Sequence, residues 1–267
     1  MTWTERQVKP NGPSAEPRAR TSPTAFETMR ACMYRSGFEH DQVYRQDLFP
    51  SPQIVIGNAA HKLKEVGTRG DLAGLAGADL RNEASKLWDE EVAKGHGEMV
   101  ARALGDPPMP AAWPGYQLSR MSAIKDLEAS PVETFFHGAS ASADPEVQLT
   151  AHDGAITGRV DLVRVTADGV EIVDYKTGDL FERESQGDGE PPLKAAYRRQ
   201  LLLYAYLYHE GSGAWPTRVT VQKAAVSQSV SFRPDPAEAE SLAAEALGLL
   251  KRFNLDAKAG ALQASPS

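Results

Sequence analysis

The feature that most constrains the fold is a pair of strand-like segments within "GRVDLVRVTADGVEIVDYKTG", residues 158–178. Apolar and β-branched residues dominate both segments, which is typical of β-strands. Asp168 and Gly169 stand between them, and Asp-Gly in such a position is a strong short-range signal for a β-hairpin. The sequence therefore predicts a hairpin whose turn is formed by these two residues.

This hairpin carries three charged residues whose placement depends on the register of the two strands. With Asp168 and Gly169 as the turn, Asp161 lies opposite Lys176. Asp174 then becomes a diagonal neighbour of Asp161, roughly 7 Å away. Because side chains alternate between the two faces of a strand, all three emerge on the same face.

Two readings of this charged set are open. It could be a surface patch of ion pairs, which is the common outcome for an arbitrary hairpin. The flanking "LVRV" and "VEIV" are mostly apolar on both faces, however, and indicate buried strands. Buried carboxylates cost several kcal/mol unless a cation or partner compensates them, so a bound divalent metal ion is the economical explanation.

The remaining composition is that of a globular protein. The chain has 267 residues, of which 41% are hydrophobic, enough for one large domain or two small ones. Cys32 is the only cysteine, so neither an intramolecular disulfide nor a cluster held by four thiolates of this chain can form. The net charge of -7 argues weakly against a protein that coats nucleic acid non-specifically.

The periodicity of the sequence divides the chain into a helical part and a strand-rich part. No apolar run is long enough for a membrane helix and no secretory signal is visible, so we expect a cytoplasmic protein without a membrane partner. A polar loop follows the hairpin and favours either a functional lid or a disordered gap. The predicted organisation is a disordered segment at 1–20, a domain at 21–255 (helical part 21–135, sheet core 146–232, closing helix 235–253) and a disordered tail at 256–267.

Five short motifs in order resemble a known family. "GRVD", the hairpin, "EIVDYKTG" and a helix with "QLLLYAYLY" are similar to the RecB-type branch of the PD-(D/E)XK nuclease superfamily, which includes the nuclease domains of RecB and AddB. "TSPTAFETMRAC" resembles the opening helix of that branch, and "IGNAAHKLKE" resembles its Gly-x-x-x-His helix. The resemblance implies an α/β fold with a restriction-endonuclease-like core, in which a small mixed sheet is flanked by helices and preceded by a helical portion.

The resemblance also implies roles for individual residues. Asp161 and Asp174 would be metal ligands, joined by His61 and the carbonyl oxygen of Tyr175, with His61 alternatively an active-site acid. Lys176 would position or activate the attacking water and stabilise charge on the phosphate. The remaining candidates are Gln200 and Tyr204, which would orient the metal site or the nucleic-acid backbone, and Glu146, which is weaker.

The implied activity is hydrolysis of DNA phosphodiester bonds with Mg²⁺ or Mn²⁺, as an exonuclease in repair, recombination or defence. CRISPR-associated relatives bind an iron-sulfur cluster through a trio of C-terminal cysteines that this chain lacks, so no cluster is expected. No Gly-x-x-x-x-Gly-Lys-Ser/Thr loop occurs, and any helicase or ATPase partner, or defence-complex subunit, would be a separate polypeptide.

Competing interpretations stay open at this stage. The chain could be a catalytically silent module that binds DNA or a partner, or an enzyme that requires a partner; the intact Asp, Asp, Lys set argues against the silent module. His61, Gln200 and Tyr204 could simply pack in the core. Three basic residues near the helix start could contact phosphates or form a solvated face: Lys194, Arg198 and Arg199.

Overall fold

A computed structural model describes residues 16–41, 50–102, 106–129, 142–182, 191–223 and 228–262. These residues form a mixed α/β domain, which confirms the predicted fold class. In chain order the elements are α1 (Pro23–Ala31), α2 (Met33–His40), α3 (Pro52–Arg69), α4 (Gly77–Arg102), a 3₁₀ helix (Pro110–Ala112), α5 (Tyr116–Ala129), β1 (Ser142–Ala151), β2 (Ile156–Thr166), β3 (Gly169–Lys176), α6 (Ala195–Ser212), β4 (Arg218–Lys223), β5 (Ser229–Phe232) and α7 (Pro236–Lys258).

Local sequence signals set the starts of the helices that matter for the site. Ser22 precedes α1, and its side chain accepts a hydrogen bond from the Ala25 N–H. Ser51 caps α3 in the same way through the Ile54 N–H. A proline follows each cap within the first turn, where its missing N–H costs nothing. Gly70 ends α3 in the left-handed conformation that glycine adopts without strain.

The sheet has the order β1-β2-β3-β4-β5. The pairs β1–β2, β2–β3 and β4–β5 are antiparallel, whereas β3 and β4 run parallel. A parallel pair needs a crossover connection, and α6 provides it. Lys176 at the end of β3 therefore lies next to the start of the connection that leads into α6.

Helices cover both faces of the sheet and form two apolar cores. One core joins the sheet to α1, α6 and α7 and includes Ile172 and Val219. The other joins the sheet to α3, α4 and α5 around Trp88 and includes Val173. Ile172 and Val173 are neighbours on β3, and they belong to different cores because successive side chains point to opposite faces. The candidate site lies in β2 and β3, between the two cores.

The predicted register of the hairpin is wrong by two residues. Leu162 pairs with Val173 and Thr166 pairs with Gly169, so the turn consists of Ala167 and Asp168. Gly169 lies outside the turn, but its position still requires glycine. A Cβ there would lie 2.4 Å from Thr217 Cγ2, and its φ of +113° is a conformation that other residues rarely adopt. A shift of two residues preserves the face on which each side chain emerges.

The structure differs from the sequence prediction at the ends of the domain. Helix α7 continues to Lys258, so the start of the predicted tail is helical. Arg18, predicted to be disordered, is buried, with its guanidinium 4.5 Å from the centre of the Phe253 ring. The main-chain N–H of Arg18 donates a 2.7 Å hydrogen bond to Asn254 Oδ1. Residues 1–15 and 263–267, also predicted to be disordered, lie outside the described part of the chain.

The polar loop after the hairpin is described only at its two ends. Phe181 and Leu193 form a short antiparallel bridge, and the Glu182 N–H donates to the Pro192 carbonyl at 3.0 Å. These bonds bring the loop ends together beside the start of α6. Residues 183–190 of this loop lie outside the described residues, and the lid interpretation of the whole loop stays a prediction.

None of the helices in the described part of the chain combines the length and apolar character needed to cross a membrane.

Candidate active site

Asp161 and Asp174 lie one position beyond the last paired residues of β2 and β3, Leu162 and Val173. Extending the observed register by one pair from Leu162 and Val173 places these carboxylates directly opposite each other, rather than diagonal. The Tyr175 N–H donates a 2.5 Å hydrogen bond to Asp161 Oδ2, which fixes that carboxylate against β3. The structure thus brings the two aspartates together more closely than the sequence register predicted.

Strand β2 changes the direction of its side chains at Asp161. Val160 belongs to the core with α6, whereas Leu162, two residues later, belongs to the core with α3. Regular alternation would place both on the same face. On the neighbouring strand β1, Glu146 adopts a φ of 59° and interrupts the pairing at the same level. Asp161 consequently stands at a local distortion where groups from both sides of the sheet can reach it.

Asp174 is buried and pairs with Lys176. The exposed fraction of Asp174 is 4%, and its Oδ2 lies 2.7 Å from Lys176 Nζ. Burial nevertheless raises the pKa of Asp174 to about 6, with the nearby charge of Asp161 adding to the rise and Lys176 opposing it. Burial therefore disfavours ionisation of this carboxyl, and a cation bound beside it would stabilise the charged form.

His61 approaches Asp161 from helix α3. Its Nδ1 lies 3.5 Å from Asp161 Oδ1, and its ring meets the Tyr175 ring edge to face with centroids 6.0 Å apart. Burial lowers the pKa of His61. The hydrogen bond to Asp161 and the negative charges of both aspartates together outweigh this effect, so the pKa of His61 lies above its ordinary value. In this geometry His61 acts as a positively charged or hydrogen-bonding partner of Asp161.

A glycine allows helix α3 to lie close to the end of β3. A Cβ on Gly57, one turn before His61, would lie 3.2 Å from Thr177 Oγ1. Such a contact is tighter than an ordinary van der Waals distance, so a larger residue would push the helix and the strand end apart. Gly57 thus sets the distance between His61 and the segment that carries Lys176.

Gln200 and Tyr204 form a hydrogen-bonded pair on helix α6. The Gln200 side-chain amide donates to Tyr204 Oη at 3.2 Å, and both side chains are buried. Burial raises the pKa of Tyr204, and the charge of Asp174 raises it further, which places the phenol within electrostatic range of that carboxylate. A Cβ on Gly158 would lie 2.9 Å from Tyr204 Cε1, so this glycine lets the helix approach β2.

The Tyr175 side chain points away from the carboxylates. Its ring packs in the core with α3, and burial raises the pKa of its phenol to about 12. The main-chain N–H of Tyr175 faces Asp161, whereas its ring contacts the ring of His61.

A cavity of about 450 Å³ opens beside Asp161 and His61. Each basic residue on its rim has an acidic partner: Lys62 pairs with Glu65 at 3.1 Å, Lys94 with Glu91 at 3.6 Å, and Arg159 with Glu146. A polyanion that enters this cavity would have to displace these carboxylates from the basic side chains before it could bind them. Glu146, the weaker sequence candidate, thus lies on the rim, and burial raises its pKa.

The predicted basic face of α6 is largely neutralised. Arg198 forms a bidentate pair with Glu238, and Arg199 forms one with Glu27. These bonds hold α6 to α7 and α1, so the two arginines have structural partners. Lys194, at the start of the helix, instead lies with its Nζ 5.5 Å from the centre of the Tyr197 ring.

Tyr197 is a neighbour of the candidate site that the sequence did not indicate. Its ring centre lies 5.4 Å from Lys176 Nζ. The signal that could have found it is helical spacing, because Tyr197 precedes Gln200 by three residues and Tyr204 by seven, which places all three on one face.

The donor atoms fit a hard divalent cation. Among the described residues, no three His, Cys, Asp or Glu side chains are grouped so as to hold a metal ion by themselves. Asp161, Asp174 and the Tyr175 carbonyl offer oxygen atoms, and Mg²⁺ is commonly held by one or two carboxylates with water and substrate phosphates completing its shell. Burial raises the pKa of Asp174, and a cation bound beside this carboxyl would favour its ionised form.

Comparison with known proteins identifies the family to which this fold and site belong. A family model for the PD-(D/E)XK nuclease superfamily matches residues 20–264. The chain therefore belongs to the PD-(D/E)XK nuclease superfamily, whose members generally use divalent metal ions and act on DNA.

One solved structure agrees with the fold over most of the chain. A protein from Eubacterium rectale named "Putative exonuclease" aligns over 99% of this chain and 90% of its own, with a TM-score of 0.53 and 12% identity. A second, SSO0001, covers 76% of this chain and 86% of its own at 16% identity, but its TM-score of 0.31 does not establish a shared fold. No curated protein matches the sequence.

Proposed function

We propose that this protein is a Mg²⁺- or Mn²⁺-dependent deoxyribonuclease of the RecB-like exonuclease type. The observation that carries the proposal is the buried Asp174, with Lys176 Nζ 2.7 Å from its carboxylate and the charge of Asp161 acting on it from the neighbouring strand. A divalent cation would compensate the buried charge of Asp174, and the two aspartates supply the oxygen donors that metal-assisted phosphodiester hydrolysis requires. Membership of the superfamily supports the same chemistry.

The residues of the chain have distinct tasks in this reaction. Asp161, Asp174 and the carbonyl of Tyr175 would hold the divalent cation, which when bound supplies electrostatic stabilisation to the charge that develops on the phosphate. Lys176 donates hydrogen bonds to the attacking water or to a phosphate oxygen, and its positive charge favours the transition state over the ground state.

The neighbouring side chains orient these groups. His61 holds the Asp161 carboxylate from the α3 side, and it is close enough to become a further cation ligand after a small rotation. Gln200 and Tyr204 bond to each other and fix the wall of the site behind Asp174. Their contribution is the preorganisation of the carboxylates rather than a step of the chemistry.

The proposed substrate is DNA, taken as single strands or duplex ends in repair, recombination or defence. The net charge of -7 and the acid-paired rim favour delivery of DNA by a separate helicase, ATPase or defence-complex subunit. The proposed location is the cytoplasm, where such substrates and partners occur.

A cleavage assay with two matched variants tests the activity. Asp174→Asn removes a carboxylate of the site, whereas Asp168→Asn makes the same chemical change in the exposed turn of the same hairpin. Labelled single- and double-stranded DNA is incubated with each protein in Mg²⁺, in Mn²⁺ and in EDTA. We expect metal-dependent cleavage by the wild type and Asp168→Asn, and at least a 100-fold loss in Asp174→Asn.

The outcomes separate the enzyme from a silent module. DNA binding without cleavage, unchanged by EDTA, would identify a binding module and overturn the proposal. Cleavage that survives in Asp174→Asn would place the active site elsewhere. Circular and linear substrates in parallel then decide the mode of action, since an exonuclease degrades only the linear DNA.

A further inference from the structure

The ammonium group of Lys176 has an aromatic neighbour on α6 that no sequence motif accounts for. Lys176 Nζ lies 5.4 Å from the centre of the Tyr197 ring, within the range at which a ring face attracts a cation. The ring is partly buried against the α6 core, and its hydroxyl lies close to Gly178, where a Cβ would be 3.4 Å away. Tyr197 is thus held firmly beside the end of β3.

Among the described residues, Asp174 is the one acidic side chain that forms an ion pair with Lys176, and in the proposed function Asp174 also binds the metal ion. Asp174 Oδ2 lies 2.7 Å from Lys176 Nζ. If Asp174 coordinates a divalent cation, as proposed above, its charge is shared and the cation repels the ammonium group. Lys176 then needs a second contact that is attractive to an ammonium yet does not compete for the metal ion.

We propose that Tyr197 is a positioning residue that holds the Lys176 ammonium beside the reacting phosphate through the face of its ring. This inference rests on the proposed nuclease function. A neutral ring attracts the ammonium through its quadrupole and offers little to a hard cation, which prefers anionic oxygen. The ring therefore orients Lys176 without removing a metal ligand.

The placement of Tyr197 on its helix supports this role. Tyr197, Gln200 and Tyr204 occupy one face of α6, so the face that backs the Asp174 carboxylate also carries the support for Lys176. A second ammonium, Lys194, lies 5.5 Å from the same ring centre. The ring is thus contacted by two cations, one from the end of β3 and one from the start of α6.

Kinetics with two variants at the same position test the contribution of the ring. Tyr197→Phe keeps the ring face, whereas Tyr197→Leu removes it. We expect Tyr197→Leu to lower kcat about 3- to 30-fold, the range that matches the usual strength of a cation–π contact. KM for DNA should stay within twofold, and Tyr197→Phe should retain most of kcat.

A matched control removes another aromatic ring from the same helix. Tyr208 packs partly buried against the α6 core, away from Lys176. Tyr208→Leu should leave kcat unchanged, and thermal unfolding of all three variants reports whether each folds. A loss common to Tyr197→Leu and Tyr208→Leu would indicate a general effect of helix packing and would overturn the inference.

A measurement without DNA or metal tests the contact independently of activity. Lysines are dimethylated with ¹³C-formaldehyde, and the Lys176 signal is assigned by its absence in Lys176→Arg. We expect the ring current of Tyr197 to shift this signal in the wild type and in Tyr197→Phe, and the shift to be lost in Tyr197→Leu.

The two measurements distinguish failure of this inference from failure of the nuclease proposal. An unshifted Lys176 signal in the wild type, or a shift that survives in Tyr197→Leu, would overturn the inference whatever the activity. Equal losses of kcat in Tyr197→Phe and Tyr197→Leu would assign the effect to the hydroxyl and overturn it as well. A rise in KM alone would place Tyr197 in direct contact with DNA instead. A wild type that does not cleave would refute the nuclease function while the NMR result still decided the contact.

Discussion

Asp174 carries a buried charge that lowers the stability of the folded protein but that the proposed function requires. Its carboxylate is buried opposite Asp161, and burial raises its pKa to about 6 from the ordinary 3.8. A carboxyl whose pKa is higher in the folded state binds a proton more tightly when folded. Its contribution to the free energy of unfolding is therefore complete below about pH 4 and is lost as the pH rises through about 6.

This linkage predicts that Asp174→Asn stabilises the metal-free protein. At pH 8 the buried charge costs the wild type up to about 3 kcal/mol, the equivalent of the shift in pKa. The neutral amide removes that cost, so the free energy of unfolding from urea denaturation should increase by a comparable amount. The gain should shrink at pH 5, where Asp174 of the wild type is largely protonated.

The control is the same substitution in the exposed turn. Asp168→Asn should change the free energy of unfolding by no more than about 0.5 kcal/mol at either pH. A destabilised Asp174→Asn protein at pH 8 would contradict the view that this carboxylate is poorly compensated. Active sites commonly retain such unfavourable groups because the reaction requires them.

The sequence predicted the hairpin that carries Asp161, Asp174 and Lys176, but neither its register nor the break in alternation at Asp161. Alternation alone places Asp161, Asp174 and Lys176 on one side of the hairpin, and any even shift preserves that result. The turn was misassigned because Gly169 resembles a turn glycine, whereas it is required by the close approach of Thr217 from a distant part of the chain. Contacts between segments far apart in sequence leave no local pattern to detect.

At the scale of elements, the packing of α6 on the sheet depends on a glycine in β2. A Cβ on Gly158 would lie 2.9 Å from Tyr204 Cε1 and 3.0 Å from Leu207 Cδ1, so the helix sits closer than any side chain would allow. The helix carries Gln200 and Tyr204 and, by our inference, the support of Lys176. Its distance from the sheet therefore controls several parts of the site together.

Substitution of this glycine should affect stability and activity together. Gly158→Ala is expected to lower the free energy of unfolding by about 1–3 kcal/mol, because the added methyl group overpacks a filled interface. It should also reduce kcat by moving α6 relative to Asp174. Urea denaturation and the cleavage assay measure the two effects on the same preparation.

A second glycine, on α6 itself, supplies the matched comparison. Nothing lies within 4 Å of a Cβ built on Gly211, which is exposed near the end of the helix. Gly211→Ala should stabilise the protein by up to about 1 kcal/mol through helix propensity and leave kcat unaltered. If Gly158→Ala behaved like Gly211→Ala, the close approach of helix and strand would not matter.

Helices and strands were the most predictable level of the structure. Ser22 and Ser51 cap α1 and α3, and each is followed by proline, a combination that is a local signal for a helix start. Boundaries were less predictable: α7 extends to Lys258 because Phe253 and Asn254 pack against the buried Arg18. The break in alternation at Asp161 was not foreseeable either, since it involves the unusual backbone of Glu146 on the neighbouring strand.

For the whole molecule, the proposed metal site predicts a coupling between cation binding and stability. A ligand that binds only the folded state stabilises it, by about 2.7 kcal/mol at a hundred times its Kd. Mn²⁺ should therefore raise the Tm, and it should do so more at pH 8 than at pH 5. The pH dependence arises because a proton and the cation compete for Asp174, whose pKa is about 6.

Thermal unfolding with Mn²⁺, Mg²⁺, Ca²⁺ and EDTA measures this coupling without DNA. Asp174→Asn should show little rise in Tm with Mn²⁺, although it starts from a higher Tm. An equal rise in the variant and in the wild type would mean that the stabilising cation binds elsewhere.

The bonds between Arg18 and Asn254 have a consequence for the way this domain can be joined to other chains. The Arg18 main-chain N–H and carbonyl each form a hydrogen bond with the Asn254 side chain, so segments near both ends of the described chain touch. The domain could therefore be inserted into a loop of a host protein, because the two ends of the interrupted loop would not have to move apart to join it. For the same reason, a short peptide could link the two ends of the domain. New termini could then be placed in a surface turn, so circular permutants of the domain are geometrically possible.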